Sequence, residues 1–460
     1  MIGLYTLLTV LLHLPAVQTF MGEQVAGTLA KKFGTKVSVG RVDLGFLNRI
    51  IIDDVSILDQ QNKPLLKASR ISAKIDYWLL CGGKVVISSA QLFGMHANLY
   101  QQSADVKPNF SFLLDSLASK DTTGSAAIDM KIGSLIVRHS SLAYNRWDVA
   151  TPHARFSPDH VDLTDISAHI ILNVLKRDTL SLNVRKLALK ERSGLQLKAL
   201  SFKLSANARG AVVKNLHIVL PHSELSLGEM QATYSVANGK MLMPMLQFSG
   251  SIERSKLFLP DVAALLPRAP EWNAPIQLSV AFSGTSTSLN VRSINLETQG
   301  AKLFAKGWVN NWSATPRWFA DVRLMNVASP TIEKFTPANR NIEPLMRFGN
   351  IAFVGNVGGY GNDVAAKGHV RTNAGNANFG LGVHGKRFAG RLETQGLDLR
   401  KVLNNDSYGV LSTKIHIGGM LLDRGREIAI NARGEVSQFT FNGYNYRNIN
   451  IDAHTMLQGK

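Results

Sequence analysis

The sequence predicts a mainly β fold, built as an elongated, partly rolled antiparallel sheet. Three observations lead to this prediction. Apolar and polar residues alternate in short runs along most of the chain after Gly34, as in strands with one buried face. Segments rich in Gly, Asn, Asp or Ser separate these runs and are typical of turns. The chain also has 38 glycines against 15 prolines, which suits many turns better than long helices.

The alternation continues from residue 35 to residue 460 without a sharp domain boundary, so we predict one continuous β region there. Segments near 255–267, 328–337 and 397–404 depart from the alternation and offer one or two helical turns. We interpret them as parts of a degenerate repeat in which a short helix separates blocks of strands. Unrelated loops are the alternative.

An uncharged apolar segment opens the chain, and we predict that residues 1–17 form a transmembrane anchor. The segment is shorter than the roughly 20 residues of a full span. It has neither a basic leading region nor an A-x-A site, which argues against a cleaved signal peptide. A helix in the protein core is the alternative. The predicted anchor side chains are Leu4, Leu7, Leu8, Val10, Leu11 and Leu12.

Residues 18–34 are predicted to form an amphipathic capping helix. Apolar residues from Val17 to Phe33 recur every four positions, which is a helical spacing. Gly34 is expected to end the helix, and Lys31 and Lys32 suit the negative end of its dipole. Such a helix closes the open end of a sheet, rests on a membrane surface, or does both.

The charge of the chain favours lipid over nucleic acid as a partner. A net charge of +18 predicts attraction to anionic surfaces. The basic residues are scattered singly, as on the solvated face of strands. Aromatic residues make up 8% and are also spread out, whereas a nucleic-acid platform interleaves aromatic and basic residues. We therefore expect lipid headgroups as partners and no nucleic acid.

The motifs that suggest chemistry fit structural roles better. Residues 380–386 resemble a phosphate-binding glycine loop, but a strand pattern follows them where that loop needs a helix, so we predict a hairpin. Asp53, Asp54 and Asp59 lack the twelve-residue loop of a calcium site. The histidines have no metal-binding spacing, and no nucleophile elbow is present. We predict no enzyme activity, no cofactor and no metal site.

A sheet with one aliphatic face must cover that face, close on itself, or roll and leave a groove. The few short helices cannot cover it, so we predict an apolar groove that holds acyl chains. Plain core packing is the alternative role for the same side chains. The predicted lining residues are Val37, Val39, Leu278, Val280, Phe282, Val291 and Leu303.

Several segments resemble the TamB (translocation and assembly module) family of the AsmA-like superfamily, in particular its Bacteroidetes-type members. Residues 15–20, 29–43 and 52–59 are similar to the start of these proteins. Residues 349–363 and 441–450 resemble strand segments rich in Gly and Tyr that recur in the family, and residues 78–87 add to the likeness.

The resemblance implies a single-pass inner-membrane protein of a Gram-negative bacterium, with most of the chain in the periplasm as a β-taco around a hydrophobic groove. It implies phospholipid transport toward the outer membrane, or support of outer-membrane protein assembly and secretion. The implied partners are the inner membrane, phospholipids and an outer-membrane β-barrel assembly partner. Family members are much longer, so we expect a fragment or a truncated member that lacks the region for that last partner. The alternative is a secreted or surface β-solenoid, an adhesin-like passenger without lipid transport.

Overall fold

The computed structural model describes residues 14–45, 49–75, 85–118, 128–129, 133–152, 155–176, 179–237, 240–266, 272–335, 342–422 and 427–458. Within them the chain is mainly β, as predicted. It divides into two compact units, a division that the prediction of one continuous region did not anticipate. The first unit comprises Met1–Glu224 and Asp261–Arg268, and the second comprises Leu225–Pro260 and Ala269–Lys460.

In its described residues, the first unit is a sheet of strands with two α-helices. Its elements are α1 (Pro15–Phe33), β1 (Val37–Ser38), β2 (Arg41–Gly45), β3 (Arg49–Leu58), β4 (Pro64–Ile75), β5 (Val85–Gln101), α2 (Ser111–Ala118), β6 (Ile128–Asp129), β7 (Ser134–Arg146), β8 (His160–Lys176), β9 (Thr179–Glu191), β10 (Gln196–Asn207) and β11 (Gly210–Val219).

Neighbouring strands of the first unit pair mostly in antiparallel fashion and in sequence order. β2 through β5 form one such series, and β7 through β11 form another. The two series are joined by a parallel pairing of β5 with β7. A parallel pair needs a long crossover, and the segment from Gln101 to Ser134, which includes α2, supplies it.

Helix α1 lies against β1 and β2, which pair with β3 alone among the described strands. Gln18 and Gly22 are buried at this contact, and Gln18 Nε2 donates to Asp43 Oδ1 at 2.9 Å. A Cβ at Gly22 would lie 3.3 Å from Arg41 Cα, so the helix backbone approaches the strand closely. A helix in this position covers a sheet edge that would otherwise expose unpaired backbone groups.

The ends of α1 follow local chemistry. It begins at Pro15, a residue suited to a first helical turn, rather than at residue 18 as predicted. It ends at Gly34, which has φ 63° and donates its backbone N–H to Ala30 O, as predicted for the stop. The predicted anchor side chains from Leu4 to Leu12 lie outside the described residues. Within the described part of the chain, no helix has the length and apolarity that a membrane span requires.

From residue 224 onward the chain contains many more strands and a few short helices. The strands are β12 (Glu224–Leu227), β13 (Met230–Thr233), β14 (Val236–Ala237), β15 (Lys240–Met241), β16 (Gln247–Leu257), β17 (Ile276–Thr285), β18 (Ser288–Thr298), β19 (Ala301–Asn310), β20 (Arg317–Val327), β21 (Ile351–Tyr360), β22 (Asp363–Thr372), β23 (Gly375–His384), β24 (Arg387–Asp398), β25 (Tyr408–Leu422), β26 (Glu427–Phe441) and β27 (Tyr444–Gln458). The helices are α3 (Ser329–Phe335), α4 (Glu343–Met346) and α5 (Leu399–Leu403), with 3-10 helices at Met243–Met245 and Leu259–Leu265.

In the second unit, β16 through β27 form a meander in which each strand pairs antiparallel with the next. The three predicted interruptions each contain a short helix, although β16 extends to Leu257 and β24 to Asp398. Asp398 caps α5 by accepting the backbone N–H of Arg400, and Asn404 ends it in the left-handed conformation. The hairpin between β26 and β27 turns at Asn442 and Gly443, both with positive φ, as expected of this dipeptide.

Glycines mark places where neighbouring backbone in the second unit's sheet comes too close for a side chain. A Cβ at Gly390 would overlap the carbonyl oxygen of Gly380 and the side chain of Leu381. A Cβ at Gly355 would overlap the carbonyl oxygen of Lys367 in the same way. On the face that carries Leu381, these two positions therefore require glycine.

Alanine substitutions at two glycines on opposite faces test this close approach. We expect Gly390→Ala to lower the free energy of unfolding by about 1–3 kcal/mol, because its methyl group would force the strands apart. Gly382→Ala is the control, since its Cβ would lie 4.0 Å from the nearest atom, Ala389 O. Its effect should stay within about 0.5 kcal/mol. Urea denaturation followed by circular dichroism measures both, and equal midpoints for the two variants would contradict the close approach at Gly390.

Candidate functional site

Cross-strand register places most of the aliphatic residues of the second unit on one face. Residues that pair directly across two strands share a face, and residues two apart on one strand share it too. Leu278 faces Leu296, which in turn faces Leu303. The same row continues through Met325 and Phe353 on the next strands.

We call this surface the apolar face of unit 2. Its strand-paired residues from β17 to β26 carry no charge. They include Ile276, Leu278, Val280, Phe282, Leu289, Val291, Ile294, Leu296, Leu303, Ala305, Val309, Trp318, Ala320, Val322, Met325, Val327, Ile351, Phe353, Val357, Val364, Ala366, Val370, Ala377, Phe379, Leu381, Val383, Phe388, Leu392, Leu411, Ile415, Ile417, Ile428, Ile430, Ala432 and Val436.

The alternate residues form the polar face of unit 2. On β22 they are Asp363, Ala365, Lys367, His369 and Arg371, and on β24 they include Arg387, Arg391 and Glu393. The cations of these strands therefore lie on one side of the sheet, opposite most of its aliphatic side chains.

The structure brings five predicted groove residues together on the apolar face of unit 2. Leu278, Val280 and Phe282 lie on β17, and Phe282 pairs directly with Val291 on β18. Leu303 on β19 pairs with Leu296. All five are half-buried.

The other two predicted groove residues belong to the first unit. Val37 on β1 pairs with Ile57 on β3, and both are half-buried. Val39 lies between β1 and β2, where its carbonyl oxygen would be 3.4 Å from a Cβ at Gly22 of α1. Val39 therefore lies at the helix contact.

The first unit has an apolar face of its own. One row of directly paired residues crosses nine strands of the sheet, without a charged residue: Val42, Ile52, Ile71, Leu92, Val137, Ala168, Leu187, Leu200 and Ile218. Arg41, Asp53, Arg70 and Phe93 form the adjacent row on the opposite face.

Burial on the apolar face of unit 2 is incomplete. Among the described residues, a buried hydrophobic cluster on this face consists of Ala305, Val322 and Phe353, each 7–8% exposed. Val364, Leu381 and Val383 are 37–40% exposed. A packed core would bury such side chains, so much of this face has no cover among the residues that the structure describes.

Aromatic rings lie along this face and fill the gaps left by glycines. Phe282 lies over Gly250, with its ring atom Cζ 3.1 Å from where a Cβ would stand. The Phe388 ring lies over Gly419 in the same way. Rings that pack against neighbouring strands add apolar surface to this face. Such a surface suits contact with hydrocarbon chains and offers no group for catalysis.

The cluster around Phe353 contains residues that sequence reasoning missed. Ile294 and Met325 pack against it, as does the ring of Phe379, 5.8 Å from that of Phe353. Two of these residues, Ile294 and Met325, follow β-bulges. The register shifts between Val291 and Ile294, and again between Val322 and Met325, so residues three apart share a face. The signal for such a bulge is a polar pair between two apolar runs of opposite parity.

The acidic residues considered for calcium have structural partners instead. Asp53 is buried and accepts Arg70 Nε at 2.7 Å and Arg41 Nε at 2.8 Å. The hydrogen bond from Arg70, and then that from Arg41, holds the pKa of Asp53 below its ordinary value, although desolvation opposes the shift. Among the described residues, no group of three His, Cys, Asp or Glu side chains is arranged to hold a metal.

Asp59 organises the turn between β3 and β4. It accepts the backbone N–H groups of Gln61 and Lys63 at 2.8 Å, and the hydroxyl of Tyr100 at 2.7 Å. Burial and the hydrogen bond to Asp59 raise the pKa of Tyr100 to about 12. The Tyr100 ring stacks on Trp147 with centroids 4.4 Å apart, so this network ties distant parts of the first unit together.

Comparison with known proteins adds no relative. No family model, no curated protein and no solved structure matches the chain. The resemblance to the TamB family therefore stays a prediction.

Acid titration tests the charge cluster at Asp53. Since its pKa is lowered from 3.8 on folding, ionised Asp53 stabilises the native state above that pH, and this stability is lost as the pH falls below 3.8. We expect Asp53→Asn to cost about 1–2 kcal/mol at pH 7, with the difference from the natural chain shrinking below pH 3.8. Urea denaturation between pH 7 and pH 3 measures it.

Asp165→Asn is the control, because Asp165 pairs with Lys190 on the surface of the same unit, with side-chain exposures of 68% and 54%. Because solvent screens this exposed pair, its cost at pH 7 should be smaller than that of Asp53→Asn. A cost for Asp53→Asn that is no larger than this, or that grows on acidification, would rule out the proposed role of Asp53.

Proposed function

We propose that the apolar faces of the two units bind the acyl chains of phospholipids, and that the protein is a lipid-handling scaffold of the bacterial envelope. The observation that carries this proposal is the apolar face of unit 2. It is uncharged over many consecutive strands and remains partly exposed. An uncovered surface of this kind on a folded protein is typical of a binding surface for an apolar partner.

The energetics favour chains over small ligands. Each methylene group moved from water onto an apolar surface contributes about 0.8 kcal/mol, so affinity grows with the length of the chain in contact. The cross-strand rows extend across many strands. They carry few hydrogen-bonding groups, such as the Trp318 indole, that could select a particular lipid headgroup. The face therefore suits lipids of varied composition.

Other parts of the proposal depend on the sequence. The uncharged segment over residues 1–17 supports attachment to an inner membrane, with the sheet on the periplasmic side. The net charge of +18 supports attraction to anionic headgroups. Transport toward the outer membrane, and support of outer-membrane protein assembly with a β-barrel partner, follow from the resemblance to the TamB family and belong to the same proposal.

The adhesin-like alternative has less support from the fold. A β-solenoid stacks coils of parallel strands, whereas β16 to β27 pair antiparallel in sequence order. No observation on the described residues favours this second function over lipid binding.

A pair of adjacent substitutions tests the proposal. Val280 lies on the apolar face, and Ala281 lies on the opposite side of the same strand. We expect Val280→Glu to reduce the phospholipid that co-purifies with the detergent-extracted protein several-fold, because an ionised carboxylate is costly beside hydrocarbon. Lipid extraction followed by mass spectrometry measures the amount per protein chain.

Ala281→Glu is the matched control and should leave the bound lipid unchanged. Circular dichroism and urea denaturation of both variants show that each is folded before lipid is compared. The proposal fails if the natural protein carries no lipid, or if the two folded variants carry equal amounts.

A further inference from the structure

The polar face of unit 2 contains a second concave site that lipid binding does not use. Two adjoining pockets lie there, of about 840 Å³ and about 400 Å³. They share Phe319, Gly358, Ala365 and Gly382, so they form one trough. Phe319 and Gly358 pair with each other, and they alternate along their strands with Trp318 and Val357 of the apolar face.

Small residues form the floor of this trough. A row of direct cross-strand partners runs from Gly358 through Ala365, Gly382 and Ala389 to Gly418. A Cβ at Gly418 would lie 3.6 Å from its nearest neighbour, and one at Gly382 would lie 4.0 Å away, so the space above this part of the floor is open. A Cβ at Gly358 would lie 3.1 Å from Trp318 O, at the end of the floor next to Phe319. With neighbouring strands about 4.8 Å apart, the five floor residues span about 19 Å.

Aromatic side chains close one end of the trough. Trp308 pairs across the strands with Phe319, which pairs with the first floor residue, Gly358. The rings of Trp308 and Phe319 are stacked with centroids 6.3 Å apart. Tyr360 lies beside them and is 58% exposed. These rings form a platform on which a flat or ring-shaped group can stack.

Cations stand along one side of the trough. Arg317 and Arg387 both line the larger pocket and are exposed, and neither forms an ion pair with a described residue. They lie on β20 and β24, about 19 Å apart by strand spacing. The carboxylate between them, Asp363, already accepts the backbone N–H of Gly385 and contacts His384 Nδ1. The side therefore presents two unneutralised guanidinium groups, which pair well with carboxylates.

We propose that this trough binds a linear acidic polysaccharide. The open floor admits an extended chain of linked rings, the aromatic platform stacks on a ring at one end, and the two arginines bind carboxylates at separate positions along the chain. A lipid would place an unbranched chain over the floor, but it has no anionic groups spaced to pair with two cations so far apart. An acidic peptide would form ion pairs with the two arginines. It would have no group to stack on the aromatic platform unless it carried an aromatic residue.

Titration calorimetry of the purified full chain at low salt tests the proposal. The probe is a polyuronate oligosaccharide, and a neutral oligosaccharide of the same length is the comparison. We expect binding of the acidic chain and at least about tenfold weaker binding of the neutral one. Arg317→Gln and Arg387→Gln should each weaken acidic-chain binding by about tenfold or more, and added salt should weaken it further.

Arg371→Gln is the control for charge, because Arg371 is exposed on the same face of β22 and does not line the trough. Trp308→Phe should weaken binding, whereas Trp312→Phe, in the turn outside the trough, should not. Ala389→Leu fills the floor without removing a contact group and should also abolish binding. Lipid bound at the apolar face should be the same in all these variants.

Three results would overturn the proposal. The first is no binding of the polyuronate by the folded natural protein. The second is binding that Arg317→Gln and Arg387→Gln weaken no more than Arg371→Gln does. The third is equal or tighter binding of a polyglutamate peptide or of anionic phospholipid vesicles, which would assign the trough to another class of ligand.

Discussion

Cross-strand register is the constraint on which both faces depend. Because side chains alternate along a strand, a slip of one residue would move all of a strand's apolar residues to the polar side. β-Bulges keep the apolar residues on one face where their spacing in the sequence departs from two. Val291 and Ile294 are three residues apart, as are Val322 and Met325, yet each pair shares the apolar face because the register shifts between its members.

The surface shape of the sheet in unit 2 depends on where its glycine and aromatic residues lie in this register. Glycines such as Gly390 allow neighbouring backbone to approach the apolar face, and rings such as Phe282 fill the spaces that glycines leave. On the opposite face the glycines have a different effect: Gly382 leaves open space and forms part of the trough floor. Glycine thus permits close backbone approach on one side of the sheet and forms part of a binding surface on the other.

Local sequence signals predicted local structure well. Alternation predicted the strands, Gly34 the end of α1, and the glycine-rich segment at 380–386 a hairpin, which turns at Gly385 with φ 54°. Sequence reasoning missed what depends on pairing between distant residues. The trough needs Trp308 on β19 and Gly418 on β25 to share a row, and the bulged residues of the core break the period of two. The amino-acid composition along the chain likewise did not indicate the division into two units.

Quenching along one strand tests the central claim that an apolar sheet face is open to acyl chains. With Cys81, the single cysteine, replaced by Ser, a bimane label is placed in turn at positions 278 to 283, and phospholipid with a brominated chain is added. We expect quenching at Leu278, Val280 and Phe282, and little at Ser279, Ala281 and Ser283. Quenching of equal strength at all six positions, or at none of them, would contradict it.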